Sequence, residues 1–282
     1  MKLKVLIIIF NALLFTVFFI ALFFSFFTAD IEFIGNFSKN YWVFVLFFMI
    51  LLLGTNLFFI RNWKLITTIE AADWPALSLY LETEIFEKKH LTAKNIRLLC
   101  EISILLGDFE ILKRLEQLLE KAKPEYIKTF AARFAAAKLL ANDYQGLVDF
   151  MAHIYEHPHE SSPWISFYDA FSAQMLKQKP KAMEKFSHIL ETEPEPIVRL
   201  LSVYFIACGL YDYSDEQKDE IERRVKAEKR KLSKHSLQRW KKYALKEKQK
   251  IHVLILTKAI DDALIWLFKE DELSEQTHQT VS

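Results

Sequence analysis

Glycine and proline are scarce in this sequence, 5 and 7 among 282 residues. Collagen or low-complexity chains need far more of both and are excluded, and a β-sandwich, which needs turn residues roughly every 8–12 positions, is argued against. The two cysteines cannot build a disulfide framework. A surplus of one charge sign is missing as well: 37 Lys+Arg against 36 Asp+Glu leave +1, which singles out no class of partner. No phosphate loop, dinucleotide fingerprint, nucleophile elbow or zinc-protease motif occurs. No catalytic residue, cofactor or metal is therefore assigned, and the chain is not read as an enzyme.

What the chain has in quantity is apolar surface, 52% of its residues, enough to exclude disorder throughout. It is unevenly placed. Fifteen of the 25 Phe lie in the first 60 residues. Residues 5–27 carry no charge, and Asn11 is their one strongly polar side chain. At 1.5 Å per residue this run is about 34 Å long as a helix, enough for a bilayer core of roughly 30 Å. Residues 41–60 form a second uncharged run, flanked by Tyr41, Trp42 and Trp63 in the manner of interfacial anchors. The first run is too long for a signal-peptide core, and Phe27-Thr28-Ala29 is a poor cleavage site. Two transmembrane helices are expected. Lys2, Lys4, Arg61 and Lys64 lie at their outer ends, while the loop carries Lys39 against Asp30 and Glu32. The basic bias puts both ends of the hairpin in the cytoplasm, as a multi-pass protein of the cell inner membrane. The sequon Asn36-Phe37-Ser38 sits in that short loop and is read as chance.

From residue 61 the apolar spacing is helical almost everywhere. An acidic–aromatic pair recurs in phase: Asp73-Trp74, Asp108-Phe109 and Asp143-Tyr144 at steps of 35 residues, then Asp212-Tyr213 two steps later. The missing member falls near Lys179-Pro180. Asp149-Phe150 is out of phase, so the phase carries the argument rather than the dipeptide. Leu115, Phe150 and Phe186 occupy equivalent places, as do Leu119, Ile154 and Leu190. The expected helix pairs are 92–106 with 108–121, 125–140 with 143–157, and 164–176 with 180–191. Pro124, Pro158 and Pro194 mark the exits. A period near 35 built from two short helices is the signature of an α-solenoid.

The run Leu105-Leu106-Gly107-Asp108-Phe109-Glu110, followed by Pro124, resembles a tetratricopeptide repeat at the turn between its two helices. Asn142-Asp143-Tyr144 with Pro158, and residues 178–194, are degenerate copies; Leu112 and Leu147 depart from the family by standing where small residues are usual. The resemblance covers residues 61–213. It implies a concave surface for a protein or peptide, lined by the first helices, with Asn95, Arg97, Lys128, Arg133 and Phe167 as candidate contacts. Residues 61–71 would be the first helix of the first pair, entered from the second membrane helix without a break.

Residues 214–250 read as a basic amphipathic helical segment. Between residues 223 and 250 stand 13 Lys+Arg against Glu228 and Glu247, so the near-neutral total hides a local +11. Arg223, Arg224, Lys229, Arg230, Lys231, Arg239, Lys241 and Lys242 form its patch. Such a face meets solvent, anionic lipid or an acidic protein; nucleic acid is disfavoured, with only Trp240 and Tyr243 for stacking. Residues 251–269 are expected to cap the solenoid as a buried helix, since Lys258, Asp261 and Asp262 argue against a third span. The tail, residues 270–282, is expected to be disordered. Cys100 and Cys208 read as small core residues. His153, Glu156, His157, His159 and Glu160 are the best ligand-like group, but a helix C-terminus also favours His, and no metal is assigned.

Together these features predict an all-α protein: two transmembrane helices, a tetratricopeptide-like solenoid, a basic helix and a capping helix. A membrane-anchored cytoplasmic adaptor for a protein or peptide partner is the leading expectation. Lipid or nucleic-acid binding through residues 223–250, or a structural subunit of a larger membrane machine, are its rivals.

Overall fold

The computed structural model describes residues 3–27, 42–61, 63–155, 162–192, 195–209 and 215–279. Among them are fifteen α-helices and no strand, as the sequence predicts. The chain divides into two units, residues 1–87 and 88–282.

In the first unit, α1 (Leu3–Phe27) and α2 (Trp42–Arg61) form a hairpin. Asn56 Nδ2 donates to Asn11 Oδ1 over 3.0 Å, and the rings of Phe18 and Phe48 lie 5.7 Å apart. The two contacts run in opposite chain directions, so the helices are antiparallel. The polar side chain that interrupts the first apolar run is thus answered by one in the second. The outward side chains are apolar and exposed, Ile8, Phe19, Ile50, Leu57 and Ile60 among them. Among the described residues no single helix is long and apolar enough to cross a membrane; Leu46–Arg61 and Trp63–Glu70 pass together, bent by 62° at the break between them. That bend corrects the expected unbroken entry into the repeats, and the sequence places Asn62, a poor residue for a helix interior, at the break. The first repeat pair follows as α3 (Trp63–Glu70) and α4 (Trp74–Glu82), the latter ending in a π-helical turn, Thr83–Glu87.

The second unit continues with α5 (Ala93–Leu106) and α6 (Phe109–Ala122), then α7 (Pro124–Thr129), α8 (Ala131–Leu140) and α9 (Tyr144–Tyr155). It goes on through α10 (Pro163–Met175), α11 (Lys179–Thr192) and α12 (Pro196–Cys208). The expected helix 125–140 is therefore split at Phe130 into α7 and α8. Each second helix packs on the first helix of the next pair: α6 on α8, α9 on α10, α11 on α12.

The turn between the two helices of a pair is built the same way four times. Ala72, Gly107, Asn142 and Lys177 have φ of 52°, 71°, 57° and 58°, and each stands 35 residues after the one before. At each, the left-handed residue donates its N–H three residues back and the next residue donates five back, as in Gly107 to Ile104 and Asp108 to Ser103, or Lys177 to Gln174 and Gln178 to Ala173. This is the Schellman closure of a helix. The residue that completes it also opens the next helix: Asp73, Asp108 and Asp143 accept from the N–H of Ala76, Ile111 and Gly146 at 3.0, 3.3 and 2.9 Å. The recurring aspartate is an N-cap, and the aromatic after it is the first helical residue. The missing fourth member is the turn at Lys177, where Gln178 replaces the aspartate. Asp212-Tyr213, Pro158, Pro194 and the loop with Lys39 and Asn36 lie outside the described residues.

Leu115, Phe150 and Phe186, equivalent in the repeat, are all buried. The basic segment is two helices rather than one, α13 (Asp215–Leu232) and α14 (Leu237–Lys248), broken where Ser236 caps α14 by accepting from the Arg239 N–H. The capping element is also divided, into a 3-10 turn, Ile251–Leu256, and α15 (Thr257–Gln279). α15 continues past residue 270, where disorder is expected; Glu270, Glu272, Leu273, Glu275 and Gln276 are good helix formers, and the stretch has no Gly or Pro.

Candidate functional site

The first helices of the pairs, α5, α8, α10 and α12, are the face that the resemblance assigns to a partner. In the second unit this face is filled by the chain itself. The 3-10 turn Ile251–Leu256 packs on α5 and α8, while α14 and α15 pack on α12. Val253 and Leu256 are buried there, as are Ile260 and Leu267 of α15.

A buried polar group fixes the contact. Trp164 of α10 donates its indole N–H to Glu247 Oε2 over 2.8 Å. Lys250 Nζ reaches both oxygens of the same carboxylate at 2.7 Å. Tyr168, one helical turn beyond Trp164, donates its hydroxyl to the His252 carbonyl at 2.5 Å and lies 3.1 Å from His252 Nδ1. Trp164, Tyr168, Glu247 and His252 are all buried. Burial, with the charges of Arg133 and Lys250 nearby, pushes the His252 imidazole down to about 3, so it is neutral at physiological pH. Burial raises the Tyr168 hydroxyl well above its ordinary range, and Glu247 adds to this. The buried Glu247 carboxylate and the His252 carbonyl and Nδ1 are thus met by partners on α10 and by Lys250, which makes the docking specific in register.

The candidate partner contacts fall into different settings. Phe167 is fully buried, with Phe171, Phe186 and Phe205 rings 5.9, 5.9 and 6.0 Å away, so it is core and not a contact. An aromatic at helical spacing gives no sign of which way it points until its neighbours are known. Arg133 is half-buried, ion-paired to Glu101 at 2.8 Å and stacked over Phe130. Asn95 Nδ2 donates to the His90 carbonyl at the start of α5. Lys128 is half-buried and Arg97 is exposed. Four of the five thus lie on first helices that the C-terminal segment meets, and Asn95 and Arg133 already have partners within the chain.

Cys100 is buried and its thiol is pushed up to about 12 by that burial, which makes it inert; Cys208 is exposed, contrary to the core reading, because it ends α12. His153 is exposed near the end of α9; Glu156, His157, His159 and Glu160 lie outside the described residues. Among the described residues no group of three or more His, Cys, Asp or Glu is placed to hold a metal ion.

The basic patch divides by partner. Arg224 pairs with Glu191 at 3.4 Å and Lys231 with Glu228 at 2.5 Å. Arg223 donates to the Asp219 carbonyl, Lys229 lies over the Trp266 ring, and Arg239 lies over Tyr243 and donates to its hydroxyl at 2.7 Å. Arg230, Lys241 and Lys242 are exposed.

A family described as "Uncharacterised Treponema protein" matches residues 111–269. A protein of Treponema pallidum (strain Nichols), described as "Uncharacterized protein", is 31% identical over 246 residues, covering 82% of this chain and 76% of that relative. The chain belongs to this family. The family match runs from α6 into α15 and so takes in the later repeats, both basic helices and the C-terminal segment that fills the first-helix face. No solved structure matches.

Sequence reasoning missed Glu247, Lys250 and His252 as an anchor. The available signal was an acid alone near the end of a basic run, and a histidine inside an otherwise apolar hexad, residues 251–256.

Proposed function

We propose that this member of the family is a membrane-anchored helical-repeat scaffold. α1 and α2 hold it in a bilayer, with both ends on the cytoplasmic side of the cell inner membrane. Tetratricopeptide-like repeats then present a rigid surface on which a protein partner of a membrane-associated complex assembles. The observation that carries this reading is a contrast in burial. In the hairpin the large apolar side chains are exposed on helix after helical turn, whereas in the repeat unit nearly all of them are inside. Water does not tolerate the first arrangement, and lipid does. Length adds support through the bent pair Leu46–Arg61 and Trp63–Glu70, which together are long and apolar enough to cross a bilayer. Asn11 and Asn56 answer one another between the helices, as polar groups in a membrane hairpin do.

With the first-helix face filled by residues 247–268, a partner docks on what that segment leaves exposed, including Arg97 and the outer sides of the second helices. The test is photo-crosslinking in intact membranes from a probe placed at Arg97 or Lys128, followed by mild-detergent purification and mass spectrometry. A stoichiometric protein crosslinked through the repeats supports the scaffold. Recovery of the chain alone, from both probe positions, contradicts it.

A further inference from the structure

α14 has two apolar sides. Trp240 and Ala244 are buried in the repeat unit, while Leu237 and Leu245 are 40% and 64% exposed. Leu237, Lys241 and Leu245 follow at four-residue spacing and so form one stripe along the helix. Gln238, Lys242 and Lys246 are exposed beside it. The Trp240 indole N–H donates to the Leu232 carbonyl over 3.1 Å, which fixes α14 against the end of α13. α13 adds exposed Lys226 and Arg230, and the connection adds exposed Lys234.

Several cations of this region are answered by carboxylates: Arg224 by Glu191, Lys231 by Glu228, Lys248 by Asp261 and Lys250 by Glu247. Lys226, Arg230, Lys234, Lys241 and Lys242 have no ion pair among the described residues. The face therefore combines unanswered positive charge with leucines that nothing in the unit covers.

We infer that the lysine–leucine stripe of α14 docks on an anionic lipid surface. A bilayer with anionic headgroups meets both halves of the pattern, phosphates for the lysines and the headgroup–acyl boundary for Leu237 and Leu245. An acidic protein would need the lysines alone. Nucleic acid would call on stacking rings, but Trp240 is buried and Tyr243 is held by Arg239. The inference rests on the membrane reading of the hairpin, which brings the chain to a bilayer.

The full chain, carrying Cys208→Ser and a single environment-sensitive fluorophore on Leu245→Cys, is reconstituted into vesicles of phosphatidylcholine with or without phosphatidylglycerol. Nitroxide-bearing lipid serves as quencher, and a parallel sample carries the fluorophore on Ile50→Cys in α2. The Leu245 site is quenched in phosphatidylglycerol vesicles and released by added salt. Lys241→Gln, Lys242→Gln and Lys246→Gln together lower the docked-to-free ratio on the order of a hundredfold, each lysine near an anionic surface contributing about a factor of five. Quenching at Ile50 without quenching at Leu245 overturns the lipid docking and leaves the anchor standing. Equal quenching at Leu245 in neutral vesicles overturns the electrostatic recognition. Binding of polyglutamate by this face, with no lipid quenching, replaces lipid with an acidic protein. No quenching at either site overturns the anchor and the docking together.

Discussion

Asp108 shows how a single side chain writes the architecture. It completes the closure of α5 with its N–H and caps α6 with its carboxylate, so one residue terminates one helix and begins the next. Asp108→Ala is expected to lower stability by about 1 kcal/mol, the usual value of an N-cap, read as a lower midpoint in chemical denaturation. Gly107→Val is expected to cost about 1–2 kcal/mol, because a β-branched residue at a φ of 71° is strained. His252 supplies a pH dependence. Its folded-state value, about 3, lies below the unfolded value of 6.5, so the unfolded chain binds the proton more readily. The stability it contributes is fully present above pH 6.5 and is lost as pH falls from there towards 3. The hydrogen-exchange protection factors at residues 251–256, with the intrinsic slowing of exchange in acid divided out, should therefore fall on acidification through that window, and His252→Asn should flatten the dependence. The aspartates were legible as a phase of turns, and their capping role is local, needing only a residue and the N–H three positions on. Glu247 and His252 were not legible, since their partners Trp164 and Tyr168 lie 83 and 84 residues away.

Helices and their pairing were readable from spacing, and the 35-residue phase located the four turns within described pairs, including the one without its aspartate. What spacing could not decide was which element occupies the first-helix face. A groove predicted from repeat phase is a surface needing cover, and the nearest apolar segment in the same chain is a strong competitor because its effective concentration is high. Residues 251–268 carry that apolar content, and the buried Trp164–Glu247–Lys250 group sets their register. Leu256→Ala is expected to cost about 2–4 kcal/mol, as for other buried leucines. Trp164→Phe is expected to cost about 1–3 kcal/mol by removing a buried donor from Glu247. If Trp164→Phe left the exchange protection of residues 251–256 unchanged, the anchoring role of that group would be refuted. The basic segment was legible as charge and as helix, but its break at Ser233–Ser236 depends on a cap and a turn that a run of lysines obscures.

At the scale of the whole chain, near-neutral charge and average composition conceal three different surfaces: an exposed apolar hairpin, a repeat unit closed by its own C-terminal segment, and a basic helical face. Each calls for a different environment, and together they fit a scaffold held at a bilayer. The central claim is that the hairpin is embedded in lipid. Alkaline carbonate extraction of membranes from cells expressing the full chain, beside a chain lacking residues 1–60, tests it most directly, because carbonate strips proteins held by charge and leaves those embedded in the bilayer. The full chain is expected to stay with the membrane pellet while the shortened chain is released. Release of the full chain into the supernatant would contradict it.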